Sequence, residues 1–312
     1  MDISPERLRQ HVKQLSYPRN RLDLPRPMQQ AEDYVLAHFG EFGWEVSRQP
    51  YTVDAALQQQ ARNLNLEQRR RLPDCSGCNL IAYRPGSRPG PVLLIGAHLD
   101  TLTPTPGADD NTSGVAGLLE LARVLPPCER SLALVVFDME EWNLLGSTFF
   151  AARPPWPLAG AIIYECIGYF SDQPETQHLP PGLGQLYPRL WRTLTRNRFR
   201  GDFTLLVYRA PGKRLARNLQ AAFRTPVHLM RDPADLPIIG SLLSKRFPFL
   251  DNLSRSDHAP FWQRGVPALM VTDTAEFRNA NYHQTTDLPE TLDYERMAEV
   301  VQATARLAIG PA

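Results

Sequence analysis

The chain has 312 residues, 43% of them hydrophobic and 21% charged, with a formal net charge of +1. That length and apolar content can bury a sizeable core, as two small α/β domains or, as expected here, one domain spanning residues 1–312. A net charge this small gives no case for nucleic acid or an anionic membrane as partner, and no 18-residue apolar run is present to cross a bilayer.

In chain order, Met1 to Leu8 lacks a basic start and an apolar stretch, so no secretory signal is read and the cytoplasm is expected unless a leader has been removed. Arg26 to Phe42 has amphipathic helical spacing, and Trp44 to Val53 resembles a strand. The arginine-rich stretches Arg69 to Arg71 and Arg189 to Arg200 read as solvated faces. Cys75 and Cys78 form a lone C-x-x-C, while Cys128 and Cys166 are isolated, so a reduced and inert set is expected.

Pro91 to Ala97 is an apolar run suited to a strand buried on both faces, and it places His98 and Asp100 at the strand's carboxyl end. Open α/β sheets bind ligands in the crevice outside such ends. Gly107-Ala108-Asp109-Asp110-Asn111 then leads into a predicted helix from Thr112, capped by Asn111 or Thr112 and stopped by Pro126-Pro127. Asp109 is read as a helix-entry carboxylate with no further task. Ser131 to Phe137 is a second buried strand, ending in Asp138-Met139-Glu140-Glu141. A helical segment, Asn143 to Ala152, precedes a third apolar run, Ala161 to Tyr164, which ends at Glu165. Arg153 to Pro157, Gln173 to Gly184 and Thr225 to Arg255 read as loops, with insertions at about 170–185 and 225–255 over the active-site end. Within them, Phe170, Leu236, Ile238, Ile239, Phe247, Phe249 and Leu250 either line a hydrophobic pocket or pack their own loops. Val266 to Val271 is a fourth strand candidate, His283 follows it, and Leu292 to Ile309 reads as a closing helix.

His98, Asp110, Glu141, Glu165 and His283 thus gather at the ends of successive strands. Two imidazoles and three carboxylates suit zinc, with cobalt or manganese as substitutes. Five protein ligands exceed what one catalytic zinc takes but suit two ions sharing a bridging carboxylate. Asp100, two residues beyond His98, is placed to orient that imidazole. His258 is expected to hydrogen-bond structurally, and His11, His38, His178 and His228 to be surface or packing residues.

Six segments in order, His98-Leu99-Asp100, Gly107 to Asn111, Glu140-Glu141, Glu165 to Gly168, Ser256-Asp257-His258 and Tyr282-His283, resemble the co-catalytic zinc aminopeptidases of peptidase family 28, clan MH, a group that also holds the glutaminyl cyclases. The resemblance implies a three-layer α/β/α sandwich with a central mixed, mostly parallel sheet. It implies that His98 and Glu165 hold one zinc, Glu141 and His283 the other, and that Asp110 bridges them. Many members carry aspartate where this chain has Glu165. Glu140 would be the general base, taking a proton from a metal-activated water and passing it to the leaving amine. Asp257 would lie near the substrate or behind the ligands. The implied partner is a peptide with a free amino terminus; the oligomeric state stays open. Two other readings are a cyclase-like acyltransferase with a single zinc, against which Tyr282 stands where the cyclases typically carry tryptophan, and an inactive binding or receptor-type homologue, against which every ligand and the base are retained.

Overall fold

The apolar runs form the middle of one eight-stranded sheet, in the order β1-β2-β4-β3-β5-β8-β6-β7. A computed structural model describes residues 2–61, 72 and 74–310, so the arginine-rich segment 69–71 lies outside the described residues. The strands are β1 (Glu45–Val53), β2 (Cys75–Arg84), β3 (Val92–His98), β4 (Leu132–Phe137), β5 (Leu158–Glu165), β6 (Thr204–Tyr208), β7 (Val227–Arg231) and β8 (Ala268–Thr272). β4, β3, β5 and β8 run parallel, while β2 is antiparallel to β4 and β6 to β8.

Alternate side chains of each central strand enter opposite layers. Leu93, Ile95 and Ala97 join the core under the helices Pro5–Leu15, Gly114–Val124 and Tyr294–Ile309, whereas Val92 and Leu94 pack with Phe150 and Phe261 on the other face. Every residue of β3 and β4 is buried, as expected of strands covered on both sides. The sheet with its two helical layers is the mixed, mostly parallel α/β/α sandwich that the resemblance implied. Among the described residues no helix is long and apolar enough to cross a membrane.

β3 has β4 on one side and β5 on the other. Successive crossovers therefore leave in opposite directions and open a crevice beyond the carboxyl ends of these three strands.

Three local readings need correction. The residues after Gly107 do not enter an α-helix directly: Ala108–Ser113 form a wide turn in which Asp110 and Asn111 have non-helical dihedrals, and the α-helix begins at Gly114. Asn111 is no cap, because its amide donates to the Tyr164 carbonyl (2.9 Å) and its side-chain oxygen accepts from the Cys166 N–H (3.3 Å). The stretch 225–255, read as a loop, contains the edge strand β7 and the helix Ile239–Arg246. By contrast, Arg189, Arg192 and Arg196 lie exposed on the helix Pro188–Arg196, a solvated face as expected.

The helix Pro5–Leu15 packs against the turn Ala108–Ser113, and towards the helix Pro25–Glu41 it presents His11. Its buried ring accepts the Tyr34 hydroxyl at 2.8 Å and meets His38 edge-on at 5.2 Å. Burial first, then His38, lowers its pKa to about 4. The unfolded chain therefore binds this proton more readily, and stability present above pH 6.5 is lost as pH falls towards 4. Denaturant titrations should show that decline, and His11→Phe should flatten it in the same window.

Candidate metal centre

His98 ends β3 with its ring buried. Its Nδ1–H donates to the Asp100 carbonyl at 3.1 Å, which leaves the Nε2 lone pair aimed into the crevice. There Nε2 lies 3.2 Å from Asp110 Oδ1, 3.6 Å from Glu165 Oε2 and 4.0 Å from Glu140 Oε2. Asp110 turns its other oxygen to the second half of the site, 3.0 Å from His283 Nε2, which is itself 3.8 Å from Glu141 Oε2. Among the described residues three groups of three side chains converge in this way, His98 with Glu140 and Glu165, Asp110 with Glu141 and His283, and Asp110 with Glu165 and Cys166.

The five expected ligands and the expected base are thus brought together, and Glu140, expected only as that base, also stands within ligand distance of its group. Asp100 orients the His98 imidazole as expected and has a second task. Its backbone carbonyl, not its carboxylate, makes the hydrogen bond to His98, while the carboxylate accepts the Glu140 N–H (3.0 Å) and the Glu141 N–H (3.1 Å). It therefore fixes the turn after β4 as well as the imidazole. Asp257 is fully buried beside Ser147, with His98 and Glu165 near enough to act on its charge.

Sequence reading missed other supports. The Asp287 carboxylate accepts the N–H groups of Asp109 (3.0 Å) and Asp110 (3.2 Å), pinning the turn that carries the shared carboxylate. Asp109 has a task after all: its oxygens accept from Gly168 N–H and the Asn279 amide, both at 2.9 Å. Ser256 Oγ donates to Glu165 Oε2 at 2.6 Å, steadying the carboxylate whose extra methylene sets it apart from aspartate. His258 is structural as expected, its Nε2–H donating to the Leu253 carbonyl at 2.8 Å. Cys166 is buried, and burial first of all pushes its thiol pKa up.

Electrostatics show what these residues require. Burial, reinforced by neighbouring carboxylates, pushes Glu140 and Glu141 well above the usual range. Burial would also raise Asp110, yet the imidazoles of His283 and His98 hold it below the ordinary carboxylate range. His98 Nε2 and Asp110 Oδ1 are buried without an aligned hydrogen bond, although they face one another. Buried acids in excess of cations, with an orphaned imidazole lone pair and an orphaned carboxylate oxygen aimed at one point, fit divalent cations with mixed N and O ligands.

Loss of the Ser256 hydroxyl tests one part of this arrangement. Ser256→Ala should weaken metal binding at the His98–Glu165 half by about 10–100-fold, as loss of an outer hydrogen bond usually does, with Ser256→Thr restoring it. Competition with a chelator on the metal-free protein measures both.

A cavity of about 100 Å³ opens beside Glu165, Ser256 and Tyr282. Of the seven apolar residues considered for such a pocket, Phe249 lines it. Phe247 and Leu250 pack in the core behind, and Ile238 and Ile239 are exposed.

Comparison with known proteins places this arrangement. The model for peptidase family M28 matches residues 79–175 and 241–308. The uncharacterized protein YfbL of Escherichia coli (strain K12) is 37% identical over 247 residues, covering 73% of this chain and 69% of that one. Further curated relatives are matched over 13% to 28% of their own length. Among solved structures, an aminopeptidase from Aneurinibacillus sp. strain AM-1 superposes with a TM-score of 0.68 at 15% identity, covering 100% of this chain and 97% of that one. A glutaminyl cyclase from Porphyromonas gingivalis superposes with a TM-score of 0.61 at 18% identity, covering 98% of each chain.

Proposed function

We propose, from the premise that this chain belongs to peptidase family M28, that it is a metal-dependent aminopeptidase cleaving the amino-terminal bond of peptides. One observation carries the reading. The two oxygens of Asp110 are divided between His98 (3.2 Å) and His283 (3.0 Å), which suits a carboxylate shared by two ions better than the single-zinc site of a cyclase. His98, Glu165 and Asp110 would hold one ion, and Glu141, His283 and Asp110 the other, zinc being the ion this donor set suits best. Bound there, the pair would supply Lewis acidity and lower the pKa of water towards about 7.

The remaining work falls to the chain's own side chains. Glu140 takes the proton of the attacking water as its oxygen adds to the scissile carbonyl carbon, and delivers that proton to the departing amine as the C–N bond breaks. Asp100 fixes Glu140 and Glu141 through adjacent backbone N–H groups, so that the base and a ligand keep a set spacing. The surplus of carboxylate around the crevice suits the ammonium of a free amino terminus.

The fold is common to aminopeptidases and cyclases and does not choose between them. Metal content per chain, measured with turnover of aminoacyl anilides and of an amino-terminal glutaminyl peptide, does. Two ions with anilide hydrolysis support the proposal; one ion with cyclisation alone overturns it.

A further inference from the structure

We propose that Arg19 is a positioning residue for the metal centre, gripping the chain on both sides of Asp110 so that this carboxylate faces the two imidazoles. The inference rests on the two-ion reading and names a residue that serves it from outside the ligand set.

The segment 16–24, between the helices Pro5–Leu15 and Pro25–Glu41, touches each of the loops that bear the first five ligands and base but one. The Arg19 carbonyl accepts the Thr101 N–H at 2.8 Å, and the Arg19 N–H reaches Thr101 Oγ1 at 3.0 Å, which ties it to the loop after β3. Asn20 continues that contact, its amide donating to Thr103 Oγ1 at 3.0 Å. Arg21 Nε donates to Asp138 Oδ2, an oxygen that also accepts the Cys78 N–H at 2.8 Å, and so fixes the chain two residues ahead of Glu140.

The Arg19 side chain takes the loop of Asp110. It is fully buried, with Nη1 donating to the Pro106 carbonyl at 3.4 Å, before Asp110, and Nη2 donating to Thr112 Oγ1 at 2.8 Å, after it. Nη1 also donates to the carbonyls of Leu15 and Tyr17, which anchor the guanidinium to the end of the first helix. Thr112 Oγ1 donates in turn to the Gly107 carbonyl, closing the loop across Asp110. Gly107 has a φ of +68°, and a Cβ there would lie 2.4 Å from Thr101 Cγ2 and 2.5 Å from the Asp110 carbonyl. The threonine that Arg19 holds by its backbone is therefore packed against the loop that Arg19 holds by its side chain.

Asp287 grips the N–H groups of Asp109 and Asp110 themselves, so Arg19 supplies what that clamp lacks, a hold on either side. Arginine suits the place in charge and in shape. Burial lowers its pKa to about 10 against Tyr17 and the carboxylates of Asp100, Asp110 and Asp287, and it stays cationic at neutral pH. Its planar fork serves Pro106 and Thr112 together, whereas the ammonium of lysine is a point donor on a flexible stem. Arg19 lies outside the segments 79–175 and 241–308 that the family model matches.

Three variants of the full-length chain test the assignment. Thr112→Val removes the hydroxyl that Arg19 grips and keeps the shape, Thr112→Ser keeps the hydroxyl, and Arg19→Lys keeps the charge but loses the fork. Each protein is stripped of metal and titrated with cobalt(II), whose absorption bands report ligand geometry; kcat and KM are then measured on an aminoacyl anilide. Thr112→Val and Arg19→Lys should bind cobalt about 10–100-fold more weakly, the usual loss when an outer hydrogen bond goes, with shifted bands and a kcat that falls while KM holds. Thr112→Ser should restore all three. The Tm of the metal-free proteins records any loss to the fold alone. Variants that keep the native bands, affinity and kcat, whatever their metal-free Tm, reduce Arg19 to a support of the fold and overturn the proposal, with the two-ion reading intact. Where Arg19→Lys does not fold, Thr112→Val against Thr112→Ser decides. A native chain that takes up one ion or none overturns the two-ion reading and this proposal with it.

Discussion

Glu140→Gln should lower kcat by about 100- to 10,000-fold while leaving two ions bound per chain. Glutamine keeps the size of the side chain but cannot accept a proton from water or return one to an amine, and general base catalysis is commonly worth that much. The geometry makes metal content as informative as rate. Glu140 Oε2 stands 4.0 Å from His98 Nε2 and converges with Glu165 on the same point. Were Glu140 a ligand rather than a proton carrier, the substitution would remove an ion along with the activity. Elemental analysis of the purified variant, paired with single-turnover rates, separates the two: full metal with lost turnover assigns the proton transfer to Glu140, and lost metal reassigns it to ligation.

Asp110→Asn should have the broader effect, abolishing measurable turnover and reducing bound metal at both positions at once. Among the described residues no other side chain pairs with both imidazoles, and the amide replaces a full negative charge by a weaker, one-sided acceptor. The loss of affinity should exceed the roughly 10–100-fold expected for Ser256→Ala, because a ligand is removed and not its support. Stability provides a second readout. An ion present at 1,000 times its Kd stabilises the native state by about 4 kcal/mol, so a chelator should lower the Tm of the native protein markedly. The same chelator should barely move Asp110→Asn. A variant that keeps both ions and its chelator sensitivity would rule out the shared-carboxylate arrangement.

What the sequence made readable followed from physics that acts locally. Strands β3, β4, β5 and β8 are short apolar runs covered on both faces, and a chemically active residue just past such a run, as with His98, Glu140 or Glu165, lands at the open end of the sheet. The illegible parts depend on distant partners. The conformation of Asp110-Asn111 is imposed by Tyr164, Cys166 and Asp287, which come from strand ends and a carboxyl-terminal turn, so helix-capping rules misplace the helix start. β7 is an edge strand whose residues are mostly half-buried, and Val227 to Arg231 consequently carries no continuous apolar signature. Asp100 was legible as the support of its neighbour His98, but sequence proximity says nothing of the two N–H groups that β4 brings alongside.

The origin of the ligands along the chain has a consequence for how the protein is made. His98, Asp110, Glu140, Glu141 and Glu165 all lie between β3 and the end of β5, whereas His283 and the Asp287 clamp come from near the carboxyl end. A nascent polypeptide leaving the ribosome exposes one complete half of the centre while the other still lacks its imidazole. The segment 283–287 also docks Asp287 onto the turn bearing Asp110, so its arrival both supplies the missing donor and locks the shared one. The second group of candidate ligands is therefore completed only once the segment carrying His283 has been made, well after the first.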